Sequence, residues 1–284
     1  MIGITGATGQ LGRIVVEKLK HKLQGLPEAA QIVALVRSPE KAADLGVTAR
    51  AAPYGDPQAL AAALTGIETL LLISSSEVGQ RLAQHRNVIE AAVRAGVKHL
   101  VYTSLLRADT SPLSLAQEHL ETEKLIRASG IPYTILRNSW YIENHASSAK
   151  TAVTAGALIG CAGDGRISGA TRQDYAEAAV AVLTGSGHAG KTYELGGDEA
   201  YTLAQLAAEI SRQAGKDVPY RNLSQADYAA ALEGFGLPGW LAQALASWDA
   251  DASRDALLEQ GLALSALIGR PTTPLSVAVA QALA

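Results

Sequence analysis

The sequence predicts an α/β fold, a doubly wound parallel sheet that carries a smaller C-terminal α+β lobe. Strand-like apolar runs alternate with helical patterns from the N-terminus through the first half of the chain. The strands are almost continuously apolar, which indicates a sheet covered by helices on both faces. A glycine-rich turn follows the first strand, as it does at the ligand end of such sheets.

The first half supplies six strands and five helices in alternation. The predicted strands are Met1–Thr5, Gln31–Val36, Val47–Ala52, Thr69–Ile73, Lys98–Thr103 and Pro132–Leu136. The predicted helices are Gln10–Leu23, Pro39–Leu45, Pro57–Leu64, Val78–Ala95 and Ser114–Ser129. Ligands of such a sheet bind at the carboxyl ends of its strands.

The alternation stops after Arg137, which predicts a second lobe built onto the first. A helix over Asp174–Thr184 is expected to return to the sheet, and "KTYELGGD" and "DVPYRNL" are expected strands. Thr202 and Gln205 have the spacing of a capping box at the start of another helix. The segment "SQADYAAALEGFG" resembles a further capped helix, and the alanine-rich remainder is helical.

These patterns predict the following division of the chain. Residues 1–137 form a dinucleotide-binding domain of the Rossmann type, and residues 171–190 pack back on it. Residues 138–170 and 191–284 form a substrate lobe.

Composition indicates an ordinary globular protein and excludes several classes. Of 284 residues, 48% are hydrophobic and 18% are charged, and a net charge of −3 leaves no basic patch for nucleic acid. The one cysteine, Cys161, excludes a disulfide framework and a multi-cysteine zinc site, and no metal site is expected. No apolar run is long enough to span a membrane and no signal peptide is recognised, so we expect a cytoplasmic location.

Gly6, Gly9 and Gly12 form a G-x-x-G-x-x-G motif between the first strand and the first helix. The three glycines permit a tight turn, close approach of a pyrophosphate and close packing of the helix. The diphosphate would lie at the positive end of that helix. A tight turn without a ligand is the alternative, but the strand–turn–helix context favours dinucleotide binding.

Arg37 ends the second strand, where an NAD site would have a carboxylate for the ribose 2′-hydroxyl. A guanidinium binds a 2′-phosphate instead, so NADP is predicted, unless Arg37 is only a solvated loop charge. Ser74, Ser75 and Ser76 follow the fourth strand, where ribose and nicotinamide should pass. Asp56, after the third strand, is a candidate for the adenine side.

No tyrosine among nine has a lysine four residues later, so the usual acid–base pair of short-chain reductases is absent. His119 and Glu123 occupy one face of the expected catalytic helix, and Ser104 precedes them. His119 is a candidate proton donor, although a half-exposed helix histidine is the simpler interpretation. The sequence also lacks H-E-x-x-H and G-x-S-x-G, which leaves zinc hydrolysis and serine esterase chemistry unsupported.

A substrate that needs little proton donation fits this absence. Hydride transfer to a ketone gives an alkoxide, whose conjugate acid has a pKa of ~16. Hydride transfer to a quinone gives a phenolate-like anion, whose conjugate acid has a pKa of ~10. The difference of about 6 units is roughly 8 kcal/mol of proton-donor help that a quinone does not require. The site would then only have to position the quinone over the nicotinamide.

The chain resembles the type-2 NADPH quinone oxidoreductases of the NmrA-like, atypical short-chain dehydrogenase/reductase family, with triphenylmethane reductase as a relative. The resemblance rests on strings along nearly the whole chain: "ITGATGQLG", "LLLISSSEVGQR", "HRNVI", "YTSLLRADTSPL", "ETEKL", "LRNSWYIEN", "AGDGRI", "ATRQDYA" and "IGRPTTPL". It implies NADPH as hydride donor, quinone reduction and no Tyr-x-x-x-Lys pair. The chain departs in an insertion-like "HKLQGLPEAAQ", expected to lengthen a surface loop, and in Pro53, where an acidic residue is common.

The expected cofactor contacts combine the motif analysis with this resemblance. They are Gly6, Ala7, Thr8, Gly9, Gln10, Leu11, Arg37, Ser74, Ser75, Ser76, Asn138, Tyr141 and Glu143. Trp140 and Tyr141 offer flat apolar surface for a planar substrate, unless they only pack the junction between the lobes. Asn138 and Ser104 are the candidate catalytic residues, with no obligatory acid–base residue.

Two classes of function remain open. The first is an NADPH-dependent reductase that moves two electrons to a quinone, or to a triphenylmethane-type dye. The second is an NADP(H)-sensing regulator of NmrA type that acts through a protein partner. The expected substrate is a small planar quinone-like molecule, and a homodimer is one alternative for the assembly.

Overall fold

A seven-stranded parallel sheet forms the centre of the protein in the computed structural model, which describes residues 1–26 and 31–284. Its strands are β1 (Ile2–Thr5), β2 (Ile32–Val36), β3 (Thr48–Ala51), β4 (Thr69–Leu72), β5 (His99–Leu105), β6 (Tyr133–Asn138) and β8 (Lys191–Leu195). Their spatial order is β3-β2-β1-β4-β5-β6-β8. The order reverses between β1 and β4, where such sheets bind their ligands. The predicted doubly wound parallel sheet is confirmed.

Helices cover both faces of this sheet. They are α1 (Gln10–Lys22), α2 (Pro57–Ala63), α3 (Arg81–Ala95), α4 (Ala116–Ala128) and α7 (Arg172–Thr184). α1 and α7 pack together on one face, and α2, α3 and α4 cover the other. β2, with the sequence IVALV, is therefore buried along its whole length. α1 turns Leu11, Val15 and Leu19 toward the core at helical spacing.

The C-terminal lobe has its own apolar core around Leu206, Ile210 and Val279. Its elements are α5 (Ile142–Ala146), α6 (Ala149–Ala155), β7 (Leu158–Gly160), α8 (Leu203–Ala214), β9 (Tyr220–Asn222), α9 (Gln225–Gly234), α10 (Gly239–Ala252) and α12 (Leu275–Leu283). β7 and β9 pair in parallel as a separate ribbon. The predicted capping box is confirmed, since Thr202 and Gln205 exchange hydrogen bonds at the start of α8.

Three details differ from the expectation. β6 extends to Asn138 rather than ending at Leu136, which places Asn138 at the carboxyl edge beside Leu105 of β5. The segment Pro39–Leu45 is a 3₁₀ helix. Residues 191–195, expected in the substrate lobe, form β8, which pairs with β6 in the main sheet. The sequence predicted a strand here, but it did not indicate the pairing partner of that strand.

A buried carboxylate joins the C-terminal segment to the start of α7. Asp174 forms a capping box with Thr171 and also accepts hydrogen bonds from the backbone and side chain of Thr273. Arg270 places Nη2 2.8 Å from the same carboxylate. α11 (Ala263–Ile268), just before these residues, packs on α7 and β8. The strings "ATRQDYA" and "IGRPTTPL" therefore meet in space.

The insertion-like segment "HKLQGLPEAAQ" begins with the last two residues of α1, His21 and Lys22. Residues 27–30 of this segment lie outside the described residues, so its expected role as a lengthened surface loop stays a prediction. Among the described residues, no helix is long and apolar enough to cross a membrane.

Candidate active site

The three motif glycines have distinct physical tasks at the β1–α1 turn. Gly6 adopts a positive φ of +57°, which favours glycine. A Cβ on Gly12 would lie 2.2 Å from the Gly6 carbonyl oxygen, so α1 approaches the turn as closely as it does only because Gly12 has no side chain. A Cβ on Gly9 would lie 3.2 Å from that same oxygen. Gly9 thus has more room than Gly12 and keeps the outer side of the turn open.

The N-terminus of α1 has the features of an anion site. Its N-cap is Gly9, which provides no side-chain cap, and its first turn contains no acidic residue. The first backbone N–H groups of the helix are therefore available, and the helix dipole favours negative charge there. Arg13 holds the turn from behind, donating from Nε to the Thr8 carbonyl oxygen over 3.2 Å and from Nη1 to Asp44 over 2.6 Å.

Arg37, the expected 2′-phosphate ligand, lies at the carboxyl end of β2 and is exposed. Its side chain is 77% exposed and its Nη1 donates to Oε1 of Glu77 over 3.0 Å. Glu77 follows β4 and also accepts from Gln84 Nε2 over 2.7 Å. The guanidinium therefore lies at the edge of the sheet where a cofactor would bind. Its acidic partner Glu77 directly follows Ser74–Ser76, and residues 74–77 are called the serine loop.

Backbone contacts anchor the serine loop at its first two residues. Ser74 N donates to Thr103 Oγ1 over 2.9 Å, and Ser75 N donates to His85 Nε2 over 2.9 Å. The Ser75 carbonyl oxygen accepts from Arg81 Nε over 2.7 Å. The loop is thus fixed at the carboxyl edge, with Ser76 following its anchored part.

His85 and Arg81 are functional candidates that the sequence analysis missed. His85 accepts at Nε2, so its proton is on Nδ1, which donates to Thr122 Oγ1 over 3.0 Å. Burial, with the nearby Arg81 charge, lowers the pKa of His85 to about 3, which keeps the imidazole neutral. A histidine four residues after an arginine at the start of a helix was the available signal, but only the fold turns both toward the loop.

Asp56, a candidate for the adenine side, is used as a helix cap. Its carboxylate accepts from the backbone N–H groups of Gln58 and Ala59 at the start of α2. The neighbouring Tyr54 donates its hydroxyl to the Ile73 carbonyl oxygen over 2.9 Å. Asp56 therefore has a structural task already, and Pro53 precedes this turn without a side-chain donor or acceptor.

Ser104, one of the two candidate catalytic residues, is bound into a buried ion network. Its Oγ donates to Glu123 Oε1 over 2.6 Å, and both side chains are buried. Glu123 also receives two hydrogen bonds from Arg137, at 2.9 and 2.8 Å. Arg137 continues the network to Glu194 and Asp109. The hydroxyl proton of Ser104 is therefore directed at Glu123, and a role for Ser104 in catalysis stays a prediction.

His119 faces the interior rather than solvent or the cleft. It is 6% exposed, and its Nδ1 shares a hydrogen bond of 2.7 Å with the Tyr102 hydroxyl. Burial, reinforced by the charge of Arg81, lowers the pKa of His119 well below its ordinary value. An imidazole that is neutral near neutral pH is a very weak acid, which favours a structural role for His119 over proton donation. The sequence analysis expected such a structural histidine to be half-exposed.

The segment that follows β6 contains polar atoms without protein partners. Asn138 is buried, and its Nδ2 lies 3.5 Å from the Tyr141 hydroxyl oxygen, while its Oδ1 has no partner among the described residues. Trp140 Nε1 is likewise buried and unpaired within the described part of the chain. Buried polar atoms are normally hydrogen-bonded, so a bound molecule is the natural partner for both.

Tyr141 and Glu143, two expected cofactor residues, are fixed from the side of α7. The Glu143 carboxylate accepts from the backbone N–H of Arg172 over 2.8 Å. The Arg172 guanidinium lies over the Tyr141 ring, 4.8 Å from its centroid. Burial raises the pKa of Tyr141, so its hydroxyl stays protonated. This arrangement holds the backbone of the segment against the first turn of α7.

An open cleft of about 610 Å³ joins the glycine turn to the aromatic segment. Its walls include Gln10 from the start of α1, Trp140 and Glu143 from the segment after β6, and Arg172. Trp248 of α10 closes the far wall, with its ring centroid 6.1 Å from that of Trp140 in an edge-on arrangement. The cleft therefore has the start of α1 at one end and aromatic surface at the other.

The reversal in strand order, the open α1 terminus and the adjoining aromatic cleft define a dinucleotide-binding protein of the short-chain dehydrogenase/reductase class. Within that class, the chain belongs to the NmrA-like family, whose model matches residues 1–249.

Two kinds of relative are similar over almost the whole chain. Quinone oxidoreductase 2 of Escherichia coli (strain K12) is 59% identical over 99% of this chain and 98% of its own. A structure of an NADPH-dependent quinone oxidoreductase from Escherichia coli, complexed with NADPH, superposes with a TM-score of 0.95 at 58% identity, covering 100% of both chains. The Citrobacter sp. triphenylmethane reductase complexed with NADP(H) gives a TM-score of 0.94 at 38% identity, over 99% of this chain and 100% of the other.

The described residues contain no group of three or more histidine, cysteine or acidic side chains that could hold a metal ion.

Proposed function

We propose that this protein is an NADPH-dependent quinone reductase that transfers two electrons in one step. The 59% identity with the Escherichia coli quinone oxidoreductase 2 supports this activity. The observation that carries the proposal is chemical: His119 and Ser104, the candidate acids, are hydrogen-bonded to other residues, whereas Trp140 Nε1 in the wall of the cleft lacks a partner among the described residues. A substrate whose reduced form is a weak base fits that environment.

The chain's residues fit NADPH as the cofactor. Available N–H groups at the start of α1 match a pyrophosphate, and Gly9 lets it approach the backbone. Arg37 can exchange its exposed partner Glu77 for a 2′-phosphate. The Ser74–Ser76 loop and the segment from Asn138 to Glu143 would line the ribose and nicotinamide. Bound there, NADPH supplies the hydride.

Neutral hydrogen-bond donors are sufficient for the quinone. Reduction leaves negative charge on a quinone oxygen, and that phenolate-like anion is about 6 pKa units less basic than an alkoxide. Trp140 Nε1, which has no partner among the described residues, can donate to this oxygen without titrating. The second N–H of the Asn138 amide, whose Nδ2 also lies 3.5 Å from the Tyr141 hydroxyl, can do the same. The proton then comes from water at the open side of the cleft. Trp140 and Tyr141 supply the flat surface that orients the ring.

The direct test follows NADPH absorbance with purified protein and 1,4-benzoquinone, against reactions that lack either quinone or protein. We expect steady NADPH consumption with one hydroquinone formed per NADPH. Trp140→Phe keeps the aromatic surface and removes the donor, so kcat/KM should fall about ten- to a hundredfold. Trp240→Phe is the matched control, because Trp240 is 67% exposed on α10.

Two results would contradict the proposal. NADPH that binds tightly but is never oxidised by any quinone would instead favour a dinucleotide-sensing regulator. Oxidation by a triphenylmethane dye in place of quinones would favour the second candidate, dye reduction, which the 38% identity with triphenylmethane reductase supports.

A further inference from the structure

A second cavity lies behind the aromatic wall of the cleft, inside the C-terminal lobe. Its volume is about 480 Å³, and it is enclosed by residues of α5, α6, β7, α8, α9 and α10. Small-molecule sites typically have volumes of about 300–1,000 Å³. An apolar cavity of roughly 150 Å³ already holds one benzene-sized molecule, so this cavity is large enough for an extended substituent.

The cavity adjoins the cleft. The two share five wall residues from α10 and from the segment between β6 and α6: Trp140, Asn144, Ser147, Leu245 and Trp248. Leu245 lies one helical turn before Asp249, which lines only the inner cavity. The cleft and the cavity therefore meet at these residues, with Leu245 at their boundary.

The chemistry of the inner wall favours an apolar occupant. The residues that α9 and the turn after it contribute are mainly apolar, and Leu232, Phe235 and Leu237 line only the inner cavity. Phe235 is 60% exposed, so the cavity reaches the protein surface at that turn. An apolar chain could therefore extend along the wall and emerge beside Phe235.

The polar groups of the inner wall are largely satisfied within the protein. His145 shares a hydrogen bond of 3.0 Å with the Tyr201 hydroxyl, and burial lowers the pKa of this imidazole, which leaves it neutral. The Asp249 carboxylate accepts from the backbone N–H of Cys161 and lies 3.8 Å from His145 Nε2. Arg221 is exposed and can remain in water. An anionic ligand would thus find no buried positive charge among these groups.

We infer that the inner cavity binds an apolar chain, of alkyl or isoprenoid type, attached to the quinone ring. This inference rests on the proposed quinone reductase activity and adds the substrate class. The ring would lie in the cleft against Trp140, and the chain would pass Leu245 toward Phe235. The protein would then prefer tailed quinones over simple benzoquinones.

The test compares 2-methyl-, 2-propyl- and 2-hexyl-1,4-benzoquinone as acceptors with NADPH. Each buried methylene contributes enough transfer free energy to raise kcat/KM about two- to fourfold, so hexyl should exceed methyl at least about thirtyfold. Leu245→Phe should narrow the boundary between the cleft and the cavity and flatten the series, so that kcat/KM for hexyl and methyl compounds becomes similar. Leu241→Phe is the matched control, because Leu241 lies one turn earlier on α10 and lines neither cavity.

A binding measurement separates substrate capture from turnover and does not need the cofactor. Calorimetric titration with 4-hexylphenol and 4-methylphenol, which cannot accept a hydride, should show tighter binding of the hexyl compound. Leu245→Phe should remove that difference, and thermal unfolding would verify that the variant is folded.

If the enzyme reduces the methyl, propyl and hexyl compounds with equal kcat/KM, the inner cavity does not bind the alkyl chain, and the proposed function still stands. The same conclusion follows if Leu245→Phe keeps the full preference for hexyl, or if the two phenols bind equally. No activity with any of the three quinones would overturn the proposed function itself, and this inference with it.

Discussion

Nη1 of Arg37 lies 3.0 Å from Oε1 of Glu77, which joins the carboxyl ends of β2 and β4 across β1. Their side chains are 77% and 47% exposed, and such exposed ion pairs contribute about 0–1 kcal/mol. A 2′-phosphate carries more charge than a carboxylate and would displace Glu77 with little loss. Glu77 is thus an internal competitor for the residue that we expect to select NADP.

Arg37 is predicted to set the choice of cofactor. Arg37→Glu removes a charge-assisted contact worth about 1.5–3 kcal/mol and adds repulsion, so the KM for NADPH should rise roughly ten- to a hundredfold. The KM for NADH should change much less. Glu77→Gln is the matched control, which removes the competitor and should leave NADPH binding equal or tighter. Equal changes for both cofactors in Arg37→Glu would show that Arg37 is only a loop charge.

Gly9 and Gly12 should respond differently to substitution. Gly9→Val places a side chain where a pyrophosphate would approach, and its backbone conformation (φ −77°) suits any residue. We expect a folded protein with no measurable NADPH binding by calorimetry. Gly12→Ala should instead lower the thermal midpoint strongly, because its Cβ would overlap the Gly6 carbonyl oxygen at 2.2 Å. Tight NADPH binding by folded Gly9→Val would refute the proposed pyrophosphate position.

No titrating side chain is predicted to act as an obligatory acid. His119→Phe and Ser104→Ala should each lower kcat for benzoquinone by less than about tenfold, below the 10²–10⁴-fold contribution of a general acid. Ser104→Ala should still reduce stability by about 1–3 kcal/mol, since Glu123 loses a buried donor. The pH profile of kcat in the unmodified protein should show no pKa that is lost in His119→Phe. A hundredfold loss at His119 with such a change in the profile would identify it as the acid.

Stability should fall as the pH drops below about 6.5. The pKa values of His85, His119 and His145 are all lowered by burial, so the folded protein keeps these imidazoles neutral while the unfolded chain protonates them. Their stabilising effect is complete above the unfolded pKa of about 6.5 and decreases below it, by up to about 1.4 kcal/mol per pH unit for each histidine.

The measurement is the free energy of unfolding in urea at pH 7.5, 6.5 and 5.5. His85, with its pKa near 3, by itself predicts a loss of about 1.4 kcal/mol between the first and last of these, and the lowered pKa values of His119 and His145 add to it. His119→Phe should reduce the total loss. A stability that does not change over this range would mean that the buried imidazoles accept protons in the folded state.

Local patterns determined the fold class and the glycine-rich turn after β1. Apolar runs such as IVALV and the spacing of Gly6, Gly9 and Gly12 are encoded within a few residues, so β2 and the β1–α1 turn could be predicted directly. The capping box of α8 could be predicted for the same reason, because Thr202 and Gln205 lie within one turn of helix. Arg37 could be placed at the carboxyl edge because a strand ends where its apolar run ends.

Only the tertiary structure decided which polar side chains are still available for chemistry. Ser104 and Glu123 are 19 residues apart, and their hydrogen bond depends on how α4 packs against β5. His119 lies on the helix that was expected to carry the catalytic residues. It is nevertheless buried, and its Nδ1 shares a hydrogen bond with the Tyr102 hydroxyl. The inner cavity of the C-terminal lobe is similarly built from helices far apart in the chain. A side chain's burial and partners depend on long-range packing, and packing between distant segments leaves no periodic pattern in the sequence.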